Sequence, residues 1–255
     1  AGAVADALAG VDGVIHLAAI ASVEKCNIDW VRSHRTNLTG TLTVMERARE
    51  AAATPLPVVW ASSAAIYGAA RTLPISEQAI PAPMSPYGAD KLGGELHGGA
   101  AAAIFGLPNT AMRFFNVYGP GQDPRSPYSG VISIFADRLA AGQGITINGD
   151  GGQTRDFVYV GDVVRALTAA LDRLLRRRRL EQDARFDAVN VCTGRAVTIT
   201  ALAETLRTRQ TKTLAAGIDL IMADLKESME APPAAIDGHT HAIVFLYAFP
   251  RDPAP

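Results

Sequence analysis

From near its start to about residue 205 the chain alternates short apolar runs with helical stretches, and this alternation restricts its fold more than any other feature. VDGVIHLAA (residues 11–19) is an apolar run closed by small residues, the pattern of a parallel strand buried on both faces. Residues 29–53 carry a helical pattern, with Val31, Leu38, Leu42, Met45 and Ala48 roughly on one face. LPVVWASS (56–63) reads as the next strand, and Pro86 stands where a first-turn proline opens a helix to about residue 104. NTAMRFFNVYG reads as a third strand, followed by a helix over 131–141 and a short strand at ITI (145–147). RDFVYV then leads into a helix over 162–175, and FDAVNVCTG with a helix from about Ile199 completes the series. Strand and helix in this succession predict an α/β fold around a parallel sheet.

Composition narrows the function classes. The chain of 255 residues, 48% hydrophobic, is long enough to bury a full core. A net charge of −1 with 19% charged residues gives no global field suited to nucleic acid or an anionic membrane. The apolar runs fall well short of the ~18 residues of a membrane span, and no secretory leader opens the chain. Cys26 and Cys192 have no metal or redox spacing and read as free thiols, so a cytoplasmic protein is expected. The run Arg176 to Arg179 reads as a solvated helix end, because acidic residues follow and aromatics are absent. His239 and His241 have no second ligand cluster, so no metal site is expected.

The chemistry centres on SPYGADK (85–91). One helical turn puts Tyr87 and Lys91 on the same face. Such pairs are common on helix surfaces, but WASSAAIYG upstream ends a strand in two serines, Ser62 and Ser63. A hydroxyl there emerges at the carboxyl edge of a parallel sheet, where open α/β folds bind ligands. A phenol with a reference pKa near ~10 is a poor base at neutral pH unless an adjacent ammonium stabilises its phenolate. Lys91 supplies that charge, and the serine steers the substrate oxygen.

HLAA, NLTGTL, SSAAIYG, SPYGADK, RFFNVYGPGQDP and GDGGQTRDFVYVGDVV stand in an order and spacing that resembles the extended short-chain dehydrogenase/reductases. Within that group, the NAD-dependent epimerase/dehydratase family, the chain looks most like the UDP-hexose 4-epimerases acting on UDP-glucose or UDP-N-acetylglucosamine. The resemblance covers about four-fifths of the chain, from Val11 to Thr205. It implies a Rossmann-like sheet, NAD as cofactor and a UDP-sugar as substrate. Ser63, Tyr87 and Lys91 fall on the catalytic serine, tyrosine and lysine. Leu17, Ala18 and Ala19 match backbone that passes the cofactor, and Asn37 and Phe115 match side chains near its nicotinamide half. Asn116, Val131 and Arg155 match contacts to the nucleotide-sugar, Arg155 facing the diphosphate. Related dehydratases and decarboxylases carry an acidic residue just after the serine; Ala64 and Ala65 stand here, which favours epimerisation through a 4-keto sugar. Tyr67 reads as a strand-end aromatic rather than a catalytic group.

The resemblance also sets expectations for organisation. Residues 1–115 are expected to form the NAD-binding part and 116–205 mainly the substrate-binding part with segments returning to the core. Residues 206–255 are expected to form a divergent tail. A homodimer would pair the helices around 29–53 and 86–104. The family's opening strand and G-x-x-G-x-x-G turn have no counterpart: Gly2, Gly10 and Gly13 have the wrong spacing, and GGELHGG (93–99) lies on the Tyr–Lys helix. Against the family pattern roughly sixty residues, about two βαβ-sized pieces, are expected to be absent ahead of the strand at Val11, so an open edge is expected there. Beyond about Thr208 the second arginine region is not recognisable. Two alternatives therefore stay open: another nucleotide-sugar enzyme of the group, a dehydratase or reductase, or an inactive remnant acting as an interaction protein. QDPRSPYSG hints weakly at acetamido-sugar or uronic-acid substrates.

Overall fold

A computed structural model describes residues 2–70, 72–122, 130–213 and 242–245. It separates into two units: Ala1–Arg113 with Leu167–Asn190 and Ile236–Pro255, and Phe114–Ala166 with Val191–Ala235. His239, His241 and residues 123–129 of the QDPRSPYSG stretch lie outside the described residues.

In the first unit the chain runs through α1 (Gly2–Ala7), β1 (Gly13–His16), α2 (Val23–Ile28) and α3 (Trp30–His34). A π-helical turn (Arg35–Thr39), α4 (Gly40–Glu50), β2 (Val58–Ser63), a 3-10 turn (Ala64–Tyr67), α5 (Pro86–Phe105) and β3 (Asn109–Phe114) follow. The second contributes β4 (Asn116–Tyr118), α6 (Val131–Ala140), β5 (Thr154–Arg155) and β6 (Phe157–Tyr159). Then come α7 (Val160–Arg179), which crosses back to the first unit, β7 (Phe186–Val191), β8 (Val197–Thr198), α8 (Ile199–Thr213) and β9 (Ala242–Phe245). Five strands form one sheet in the order β7-β3-β2-β1-β9.

β1 is buried along its whole length and pairs in parallel with β2, Val14 opposite Val58 and His16 opposite Trp60. Val14, Val44, Ala48, Val58, Trp60 and Leu107 form the core beneath it. The open edge expected on this strand is not open. β9 pairs with β1 in parallel, Val14 opposite Ile243 and Ile15 opposite Val244, so four residues from near the other end of the sequence satisfy its backbone groups.

The helix expected over 29–53 runs with helical dihedrals from Trp30 to Glu50, interrupted in its hydrogen bonding by a π-helical turn. Asp29 is not helical (φ −130°) and caps α3 by accepting from the Arg32 amide, and the π-helical turn then separates α3 from α4. α5 forms as its sequence dictates. The Ser85 hydroxyl accepts from the Gly88 amide, Pro86 opens the first turn, and Gly106 (φ 64°) ends the helix. The glycines of GGELHGG serve packing rather than phosphate binding. A Cβ on Gly94 would stand 2.9 Å from the Trp60 ring, and one on Gly98 would stand 2.6 Å from the Asn109 amide oxygen.

The second unit packs α6 and α8 around Tyr118, Ile132, Phe135, Phe157, Ile199 and Leu206. Residues 145–147 form no strand; Ile145 and Ile147 pack on this core instead. The arginine run ends α7, with Arg176 paired to Asp172 at 2.7 Å and Arg178 bonded to Thr54. Among the described residues no helix is long and apolar enough to cross a membrane.

Candidate active site

Strand β2 delivers two serines to its carboxyl end, and they do different things. Ser62 is buried and donates to the Glu95 carboxylate at 2.6 Å. Ser63 is half-buried; its hydroxyl accepts from the Ala65 amide at 3.1 Å as the cap of the 3-10 turn and also meets the Tyr87 phenol. Tyr87 and Lys91 share one face of α5, the Lys91 nitrogen standing 5.7 Å from the Tyr87 ring centroid. Lys91 is 4% exposed and donates to the Ala61 carbonyl at 2.6 Å.

The electrostatics differ from those expected of a stabilised phenolate. Burial pushes the Tyr87 phenol above its ordinary value, and the hydrogen bond with Ser63 draws it only part of the way back. Burial likewise lowers Lys91, to about 8, against the opposing pull of the Asp90 carboxylate. With the ammonium turned to a backbone carbonyl, the pair rests as protonated phenol beside a cation close to losing its proton.

Residues 17–19 leave β1 as irregular, half-buried backbone. Asn37, on the π-helical turn, fixes where they lead. It accepts from the Ile20 amide at 2.7 Å and donates to the Ile20 carbonyl at 3.1 Å. Both ends of its amide are thus spent on the backbone of one residue, with a further contact from its nitrogen to the Cys26 sulfur at 3.7 Å, so this residue shapes the loop instead of offering a free group. Behind it His16 bonds to Thr41 at 3.1 Å, and burial, aided by the charge of Lys91, lowers its ring to about 4.

Sequence reasoning missed a buried polar network in the same unit. Arg113 on β3 forks onto both oxygens of Glu95 (2.9 and 2.7 Å) and donates to the Tyr67 hydroxyl at 2.7 Å. Tyr67 in turn donates to Asn190 at 2.7 Å. The signal was an arginine inside an apolar strand, TAMRFF, because a buried charge requires a partner. Tyr67 is held here as a structural group.

The remaining expected residues belong to the second unit. The Phe115 amide donates to the Val191 carbonyl at 3.2 Å. Asn116 is exposed, with its amide nitrogen donating to the Asp156 carbonyl at 3.1 Å. Val131 is the first residue of α6. Arg155, on β5, is exposed and donates only to the neighbouring Thr154 carbonyl at 2.8 Å among the contacts described. Asp156 next to it ties down the turn before β8, accepting from Thr193 and Gly194. Among the described residues no cluster of His, Cys, Asp or Glu could hold a metal ion.

Against known proteins, residues 1–192 match the profile of the NAD dependent epimerase/dehydratase family. The chain belongs to that family. A putative UDP-glucose 4-epimerase of Methanocaldococcus jannaschii is 36% identical over 198 residues, which is 77% of this chain and 60% of that one. The UDP-glucose 4-epimerase of Thermotoga maritima, solved with UDP-glucose, superposes with a TM-score of 0.69 at 35% identity, over 79% of this chain and 62% of that one. The Thermus thermophilus enzyme, solved with NAD, gives 0.67 at 31% identity, over 82% and 66%. This epimerase-family chain therefore spans about 60% of the length of such relatives.

Proposed function

We propose that these residues serve NAD-dependent 4-epimerisation of a UDP-hexose. The observation that carries the reading is the convergence of Ser63, Tyr87 and Lys91 at the carboxyl end of β2 and the first turns of α5. Their donor set fits the nicotinamide end of the cofactor: residues 17–19 with Tyr87 and Lys91 would hold it there. The described residues include no glycine-rich turn for its pyrophosphate. When bound, NAD supplies the acceptor and donor of the hydride at C4. Tyr87, once it has shed its own proton, takes the 4-hydroxyl proton as the phenolate and later returns it, while Ser63 holds the sugar oxygen. The charge of Lys91 lowers the cost of the Tyr87 phenolate that must form before this transfer. Ala64 and Ala65 offer no acid or base for the elimination of water, which favours epimerisation over dehydration. Arg155 would grip the diphosphate by two parallel hydrogen bonds, with Asn116 and Val131 beside the nucleotide. Cys26, a buried free thiol, suits a cytoplasmic setting.

The test is conversion of UDP-glucose to UDP-galactose in the presence of NAD, then of the N-acetylated pair. Tyr87→Phe is expected to lower kcat by about 100-fold or more, as for a lost general base. Turnover at the wild-type rate in that variant would refute the reading. A folded wild-type chain that neither binds NAD in calorimetry nor turns over would favour the second reading, a non-catalytic interaction protein. The strand β9 lying against β1 is the observation on that side.

We also infer a homodimer through α4 and α5. A groove of about 280 Å³ between these helices is lined by Leu42, Met45, His97, Phe105 and Leu107, among others. Leu96 (68% exposed) and Ile104 (73%) add exposed apolar surface on α5. Sedimentation equilibrium is expected to show a dimer that Leu96→Glu weakens at least about tenfold in Kd, one desolvated charge at an apolar contact being enough. A monomer at micromolar concentration would contradict it.

A further inference from the structure

Asp90 stands immediately before Lys91 on α5, and both side chains are buried, at 7% and 4% exposure. One oxygen of the Asp90 carboxylate meets the His34 ring of α3 at 2.8 Å, and the other is buried without a hydrogen-bond partner among the described residues. A buried carboxylate oxygen lacking a donor is costly unless a nearby positive charge compensates it. We propose that Asp90, braced by His34, is a positioning residue that keeps the Lys91 ammonium charged beneath Tyr87.

The groups facing Lys91 leave this task to Asp90. From β1, His16 is held neutral by burial, so it offers no negative charge. From α2, the Cys26 thiol is buried, and burial raises it, which keeps it protonated at neutral pH. The π-helical turn contributes Asn37, which is neutral and bonded to Ile20. From β2 the Ala61 carbonyl accepts from the ammonium but carries no net charge. On α5 itself, Tyr87 is a phenol, and Glu95 is already paired with Arg113 and Ser62. Burial works against the lysine proton, and the Asp90 carboxylate is the largest influence opposing it. His34 is half-exposed, so it fastens the carboxylate from the solvent side. What this arrangement does for turnover rests on the epimerase reading; the arrangement itself does not.

The experiment therefore needs neither NAD nor substrate. The side-chain 13Cε resonance of Lys91, assigned by its loss in Lys91→Arg, is followed with pH in the wild-type chain and in Asp90→Asn. Asparagine keeps the shape and an acceptor for His34 and removes only the charge. The Lys91 midpoint is expected to fall by about one pH unit or more in Asp90→Asn. An unchanged midpoint in a variant with the wild-type amide spectrum overturns the proposal. Should Asp90→Asn fail to fold, the wild-type chain decides. The Asp90 13Cγ resonance is expected to show an inflection at the pH where Lys91 titrates, and a flat trace through that range overturns the proposal equally. Either result stands whether or not Tyr87→Phe abolishes epimerisation.

Discussion

His16 shows how one buried side chain sets the response of the molecule to acid. Its ring is 5% exposed, bonded to Thr41, and lowered from 6.5 to about 4 by burial and then by the charge of Lys91. In the unfolded chain the ring takes a proton near pH 6.5, so between that pH and 4 the unfolded state binds more protons than the folded one. The stability present above pH 6.5 is thus lost as pH falls through about 4, a change of up to about 3 kcal/mol. His16→Asn is expected to flatten this limb of a urea-stability profile measured from pH 7 to pH 4; an identical slope in the variant would count against the assignment. At this scale the sequence was partly legible. The four-residue spacing and Pro86 exposed Tyr87 and Lys91, because both signals are local. The His34 contact with Asp90 spans 56 residues, and nothing in either neighbourhood announces it.

Among the elements, α5 carries the most. Its outer turns present the apolar groove, its first turns carry Tyr87 and Lys91, and its middle turn offers Glu95 to Arg113 of β3. Glycines at 94 and 98 let it lie close enough for those contacts to form. The Glu95–Arg113 pair is 5% and 8% exposed, so removing one partner leaves the other as an uncompensated buried charge. Glu95→Ala is expected to cost about 3 kcal/mol or more in urea unfolding, whereas replacing both partners by apolar residues is expected to cost less than the single change. A loss below about 1 kcal/mol would mean that Arg113 finds other partners. The start and end of α5 were readable from Ser85, Pro86 and Gly106, whose preferences are intrinsic to the backbone. The π-helical turn within the helix expected over 29–53 was not: the apolar periodicity continues across it, and the Asn37 on that turn bonds to Ile20, 17 residues away, which no local pattern announces.

For the whole molecule, the alternation of strand and helix was sufficient to anticipate an α/β sheet, because parallel strands buried on both faces have few other patterns. The position of β9 was beyond that reasoning: AIVF opens the apolar run AIVFLYAF (242–249), but no alternation around it says which strand it joins, and only the edge of β1 gives it a place. The two neighbours of β1 differ greatly in sequence distance. β2 begins 45 residues after β1 starts, and β9 more than two hundred residues after it. A contact between such distant segments must overcome a larger loop-closure entropy before it is rewarded, so it belongs late in the order of assembly. Pulse-labelling hydrogen exchange during refolding can read this order at two adjacent residues. Val14 gives its amide to the Pro57 carbonyl on the β2 side at 2.9 Å, and the amide of Ile15 points the other way, toward β9. Val14 is expected to gain protection first, and simultaneous protection would show that the two sides close together. In a cell, the β1 edge would lack its β9 partner until residues 242–245 have been synthesised, which makes that interval the one in which the edge is open to a strand of another chain.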